Sequence, residues 1–271
     1  MTLPQQNTAS ARPTSFYYLM CQLDRVQYRK TIQSFKIMIN YSINYLNSGE
    51  IMYEEAIEYK DSLYKELSRI GKSLGSDRRL EILDLLIQAP KSVEEISKEL
   101  KISVANTSRH LQVLRDSHLV KTERDGNRII YSLSSPLITK LIQLLTDIGE
   151  NELSEMKVIQ HKATTSENVK SISLEQALKS YKNGLLLDVR PQDEYQEGHI
   201  NSAINIPLDT LSDHLTELPK NRQIIVYCRG RLCGNSNIAT QLLNNNGYNA
   251  LSLNYSYYDW KRTLKCINEK K

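Results

Sequence analysis

The chain's capacity for chemistry concentrates in the run Cys228-Arg229-Gly230-Arg231-Leu232-Cys233. An apolar stretch, Ile224-Ile225-Val226-Tyr227, precedes it, and a helix-like one, Ile238-Ala239-Thr240-Gln241-Leu242-Leu243, follows. A cysteine between a buried strand and a helix start sits where backbone N–H groups converge. Those groups, with the positive end of the helix dipole, stabilise an anion. Arg229 and Arg231 add positive charge, so the Cys228 thiol is expected to ionise more readily than a free one. On the local run alone two readings stand, a reactive sulfur and a buried structural cysteine. Four residues separate Cys228 from Cys233, which puts the two sulfurs within bonding reach on one loop. A persulfide on Cys228 attacked by Cys233 would release its outer sulfur and leave a disulfide or a bridged polysulfide. The alternative for Cys233 is simple loop packing. Cys21 and Cys266 sit in no comparable motif.

A parallel sheet has to hold such a loop. Beyond residue 172 the pattern alternates: Leu185-Leu186-Leu187, Ile204-Asn205-Ile206, Ile224–Tyr227, a helix over 235–246 closed by Gly247, and Leu251-Ser252-Leu253. Short apolar strands separated by helices imply a sheet covered on both faces.

The preceding part has a different rhythm. A helix begins at Met52 with Leu63, Leu67, Ile70 and Leu74 on one face, and Asp77–Gln88 forms another, stopped at Ala89-Pro90. Ser92 and Glu95 form a capping box ahead of a third helix, and a fourth starts at Ser103 with Val104, Leu111 and Leu114 turned inward. Leu119–Arg124 and Arg128–Leu133 flank Asp125-Gly126-Asn127 as a β-hairpin. A single helix from about Pro136 to His161 follows, with Leu137, Leu141, Leu144 and Ile148 as a dimer-like seam. Three short helices and a hairpin make a winged helix-turn-helix. Its fourth-helix residues Ser103, Asn106, Thr107, Ser108, Arg109 and Gln112 would meet base edges in the major groove, while Lys121, Arg124 and Arg128 on the hairpin grip phosphates.

The fold class is therefore α/β multidomain: a mostly helical winged helix-turn-helix with a β-wing, then an α/β parallel-sheet domain. Boundaries fall at 1–52 (an ill-defined extension), 53–161 (DNA binding and dimerisation), 162–172 (linker) and 173–267 (sulfur chemistry). Ser48-Gly49-Glu50, just ahead of Met52, can be encoded by a purine-rich stretch like a ribosome-binding site, so residues 1–51 are expected to be an upstream extension.

Composition narrows the function. A net charge of +4 identifies no partner, but from Lys101 to Leu133 the basic residues Lys101, Arg109, Arg115, Lys121, Arg124 and Arg128 outnumber Asp116, Glu123 and Asp125. Four scattered cysteines do not form a secreted disulfide framework, and no run approaches the ~20 apolar residues of a membrane span. A cytoplasmic, soluble protein without membrane contact is expected.

Residues Leu74–Leu83, Ser103–Leu114 and Leu119-Val120 resemble the ArsR-type family of bacterial transcriptional regulators. The resemblance implies a homodimer, built on the first and last helices, that represses from a palindromic operator in double-stranded DNA. Many members bind soft metals through cysteines in the helix before the reading helix. Ser92–Lys101 has none, His110 stands without a partner at ligand spacing, and no metal or cofactor is expected there.

Leu187-Asp188-Val189-Arg190, Glu194-Tyr195, Gly198-His199-Ile200, Ala203–Pro207, Val226–Gly230 and Trp260 resemble a single rhodanese domain. The resemblance implies a nucleophilic Cys228 that accepts sulfane sulfur, with amides from Arg229 to Cys233 cradling it and Asp188 and Arg190 bracing the loop. Two departures stand out. Cys233 occupies a position that is often basic in sulfurtransferases acting on thiosulfate, and Tyr255-Ser256 replaces the usual Gly-Gly before the tryptophan. A related phosphatase would need arginine where Gly234 stands. The expectation is a dimeric repressor whose Cys228 and Cys233 sense a small sulfur donor, polysulfide or thiosulfate, or a thiol. A sulfurtransferase carrying a DNA-binding domain and a metalloid-responsive regulator are the alternatives.

Overall fold

The computed structural model describes residues 25–164 and 168–268. The chain divides into two units, residues 1–68 and 69–271. Helix α1 (Arg25–Leu74), most of which belongs to the first, begins well before Met52 and runs unbroken past the expected boundary at residue 52. Tyr53, Ile57, Leu63, Tyr64 and Leu67 are all exposed along it.

The second unit contains both halves anticipated above. α2 (Asp77–Gln88), α3 (Val93–Leu100) and α4 (Val104–Asp116) pack Ile82, Leu86, Ile96, Leu111 and Leu114 into one apolar core. The capping box forms as expected: the Glu95 amide donates to Ser92 Oγ and the Ser92 amide to Glu95 Oε2. Two-residue β1 (Lys91–Ser92) pairs antiparallel with β3 (Arg128–Leu133), which also pairs with β2 (Val120–Asp125). The hairpin is one residue tighter than expected, since Asp125 pairs with Arg128 and Gly126 takes the positive φ of 57° that the turn requires.

The expected single helix from Pro136 to His161 is two. α5 (Pro136–Glu152) ends at Leu153, and α6 (Ser154–Thr164) folds back against it. Gly149 makes room for this, because a Cβ there would lie 3.0 Å from the Met156 sulfur. Nor is all of 162–172 a linker. Residues to Thr164 complete α6, and Ser171 bridges Ser252, with Lys170 and Ile172 exchanging hydrogen bonds with the Ser252 backbone.

The four-stranded sheet is parallel, ordered β5 (Ile204–Asn205), β4 (Leu185–Asp188), β6 (Gln223–Tyr227), β7 (Asn249–Leu253). Alternation along β6 sends Ile224 and Val226 to one apolar cluster, with α9 (Asn235–Asn245), and Ile225 and Tyr227 to the other, with Trp260. α7 (Leu174–Ser180), α8 (Gln192–Glu197), a 3-10 turn (Leu211–Glu217) and α10 (Tyr257–Asn268) complete this half. Among the described residues no helix is long and apolar enough to cross a membrane.

Candidate functional site: a cysteine loop against the DNA-binding half

Cys228 leaves the end of β6 on the α9 side of the sheet and is 1 % exposed. The loop then bends back, the Cys233 amide donating to the Gly230 carbonyl at 3.0 Å. Gly230 adopts φ 118°, which favours glycine, and a Cβ there would lie a tight 3.1 Å from Ser256 Cβ. Ser256, the departure noted in the sequence, starts α10. Its hydroxyl and amide donate to Asp259 Oδ2, and the Asp259 amide donates back to Ser256 Oγ.

The two sulfurs are 3.2 Å apart. The ionisation order reverses the expectation that Cys228 is the readier thiolate. The hydrogen bond with Cys233, burial and the neighbouring negative charge push the Cys228 thiol well up. The hydrogen bond from Cys228, helped by the Asn235 amide and Arg229, draws Cys233 down to about 6 despite burial. The two sulfurs therefore share one hydrogen bond, and Cys233 is the one favoured to ionise. Among the described residues no group of three or more potential metal ligands gathers.

Neither loop arginine is free to attend the sulfurs alone. Arg229 forks onto Glu194 (3.1, 3.0 and 2.7 Å) and reaches Glu99 Oε2 on α3 at 3.1 Å. Glu194 is fully buried and also takes Lys91 Nζ at 3.2 Å, while Lys91 itself donates to Asp193 at 2.7 Å. Arg231 donates to Asp147 at 2.7 Å and to Glu150 at 2.6 Å, both on α5. The cysteine loop is thus bolted to the helix preceding the reading helix and to the last long helix of the DNA-binding half. Tyr258 from α10 adds an apolar contact to that half's core.

Asp188, at the end of β4, and Arg190 form a fully buried ion pair. Arg190 Nη2 donates to Asp188 Oδ2 at 2.6 Å and to the Gly198 carbonyl at 2.7 Å, and Nη1 reaches Gln88 Oε1 on α2 at 3.3 Å. None of Lys91, Glu99, Asp147 and Glu150 was anticipated from the sequence. Asp147 and Glu150 do share a helix face, but nothing local distinguishes them from a solvated charge pair.

The residues expected to face DNA divide. Asn106, Ser108, Arg109 and Gln112 are exposed on α4, as are Lys121, Arg124 and Arg128 on the hairpin. Ser103 is also exposed, with its hydroxyl engaged in capping, accepting from the Asn106 amide at 3.3 Å. Thr107, expected to read bases, is fully buried and its hydroxyl donates to the Ser103 carbonyl at 3.1 Å. Val104, expected inside, is 45 % exposed at the helix start. Gln112 is tied to Asp116 and Arg115, at 2.6 Å each.

Residues 76–122 match the bacterial regulatory protein, arsR family, and residues 173–263 match the rhodanese-like domain. The chain is 33 % identical over 204 residues to the HTH-type transcriptional regulator Rv0324 of Mycobacterium tuberculosis, spanning 74 % of this chain and 90 % of that protein. It is 39 % identical over 86 residues to an arsenical resistance operon repressor of Staphylococcus aureus, covering 32 % of this chain and 83 % of the repressor. Among solved structures it is similar to a homodimeric winged helix-turn-helix DNA-binding domain from Mycobacterium bovis, at 32 % identity over 35 % of this chain and 89 % of that one, with a TM-score of 0.34.

Proposed function

Because the chain belongs to the arsR family of bacterial transcriptional regulators and carries a rhodanese domain behind its DNA-binding half, we propose that sulfane sulfur reaching Cys228 and Cys233 controls operator binding by a homodimeric repressor. The observation carrying this reading is the double clamp of the cysteine loop, Arg229 to Glu99 on α3 and Arg231 to Asp147 and Glu150 on α5. The loop that would be modified touches the two elements whose placement sets the reading helices.

In the reduced state a proton lost from the pair, favoured at Cys233, leaves one negative charge inside this ring of ions. Persulfidation followed by disulfide formation removes that charge and draws the sulfurs from 3.2 Å to covalent distance, about 2 Å. Arg229 and Arg231 are carried on the same loop, so their clamps change partner geometry together. A shift of a few kcal/mol between two dimer arrangements is enough to change operator occupancy by orders of magnitude. Apolar residues exposed along α5, including Leu137, Leu144 and Ile148, support a second copy as partner.

Exposed Asn106, Ser108 and Arg109 suit base edges, and Lys121, Arg124 and Arg128 suit phosphates. The test is operator binding by wild type and Cys228→Ser, each with and without polysulfide. The expected result is a response in wild type that Cys228→Ser loses; the same response in both ends the reading. Thiosulfate turnover is a weaker reading, because Glu194 and Glu99 occupy Arg229 while Asp147 and Glu150 occupy Arg231, which leaves the loop without a spare cation for that dianion.

A further inference from the structure

Cys233 opens into a cavity of about 730 Å³ between α2, α5 and the cysteine loop. Its size falls within the range of small-molecule sites. The wall is mostly apolar, with Leu80, Leu85, Ile142, Leu145 and Met156 among its lining residues. The ionisable groups are mainly acidic, Asp77, Glu81, Asp84 and Glu152. Among the described residues the one basic lining group is Arg229, already held by Glu194 and Glu99. Cys233 lines this space, whereas Cys228 lies behind it, almost fully buried. Such a chamber disfavours inorganic anions and accepts a greasy body with its reactive end at the sulfur.

Resting on the sensing function above, we infer that this cavity receives an apolar organic hydropersulfide, R–S–SH, and that Cys233 is the sulfur that meets it first. The Cys233 thiolate attacks the outer sulfur of the donor, forming Cys233–S–SH and breaking the donor S–S bond. The departing thiolate takes a proton from water and leaves as R–SH. Cys228 then attacks the inner sulfur of the persulfide, forming the Cys228–Cys233 disulfide and expelling hydrosulfide, which leaves with the Cys228 proton as hydrogen sulfide. The two protein thiols are oxidised and the sulfane sulfur is reduced, with no other reactant needed. The cavity's fit to R, rather than charge, then selects the donor.

The experiment uses the reduced full-length protein and alkyl hydropersulfides generated in place, from ethyl to hexyl, alongside thiosulfate and inorganic tetrasulfide. Intact mass and peptide mapping follow modification at each cysteine. Burial in the apolar wall predicts a rate rising by about fourfold per methylene while the chain still fits. It also predicts slower reaction of both inorganic anions than of the hexyl compound. Cys228→Ser should stop at the Cys233 persulfide, Cys233→Ser should leave Cys228 unmodified on the same timescale, and Met156→Gln should flatten the chain-length series. A series flat within about threefold in wild type, or first modification at Cys228, overturns the inference. If the series is flat but polysulfide still moves operator binding through the cysteines, only the cavity assignment falls. If no donor modifies either sulfur, the sensing function falls with it.

Discussion

Removing the Arg229 guanidinium is the most direct way to ask whether the cysteine loop is held by charge. The arginine is 12 % exposed, Glu194 is 0 % exposed, and Lys91 at 3 % exposure is the carboxylate's other cation. Breaking a buried pair by deleting one partner costs about 3–5 kcal/mol, because an uncompensated charge is left behind. Here Lys91 remains 3.2 Å from Glu194 and offsets part of that loss, so Arg229→Ala should destabilise by about 2–3 kcal/mol. Glu194→Gln removes the charge that Arg229 serves, and the double variant should recover about 2 kcal/mol of the summed losses. Trp260, the chain's single tryptophan, is buried and stacked edge-on against Tyr181 at 5.3 Å, so its fluorescence follows the rhodanese half through urea denaturation. With urea m-values of about 2–3 kcal/mol per molar, Arg229→Ala should lower the midpoint by roughly 1 M. Two single variants that each cost under about 0.5 kcal/mol and add without coupling would refute the clamp.

Other expectations follow from the same site and its surroundings. Burial pushes the Asp84 carboxyl up to about 7, against the pull of Arg229. A folded-state value above the unfolded one means stability is fully present below about pH 4 and is lost as pH rises towards 7. Asp84→Asn should therefore be neutral in acid and gain about 2–4 kcal/mol above about pH 7 by urea denaturation, with equal stability at both pH values counting against it. Iodoacetamide should label Cys233 before Cys228, with a rate that climbs as pH rises through about 6, and Cys228→Ala, lacking the S–H donor, should move that midpoint upward. On the DNA side, Arg109→Ala should change operator preference and Lys121→Ala should lower the salt slope of binding by about 1. Thr107→Ala should cost about 1 kcal/mol of stability with operator preference intact, as denaturation and competition binding would show.

What was legible in the sequence was what short-range chemistry decides. Ser92 and Glu95 satisfy each other's helix start wherever the rest of the chain goes, and the strand–loop–helix around Cys228 follows from an apolar run, a glycine and a second periodic segment. Features set by distant neighbours were not legible. The break after Glu152 depends on Met156 returning over Gly149, which no periodicity encodes. Thr107 belongs to a polar-looking turn, but its carbonyl-bound hydroxyl lets it face the core. Arg229 does favour the loop thiolates, as its position suggests, but it is also a strut because Glu99 approaches from the other half of the unit.

Lys91 carries a consequence of its own. It belongs to a two-residue strand of the wing sheet, yet its ammonium group ends between Asp193 and Glu194. The halves are consequently not freely interchangeable cassettes. A chimera that grafts this sulfur-handling module onto another repressor scaffold would need a lysine transplanted at the matching strand, or the buried Glu194 would be left with Arg229 as its one cation at the seam.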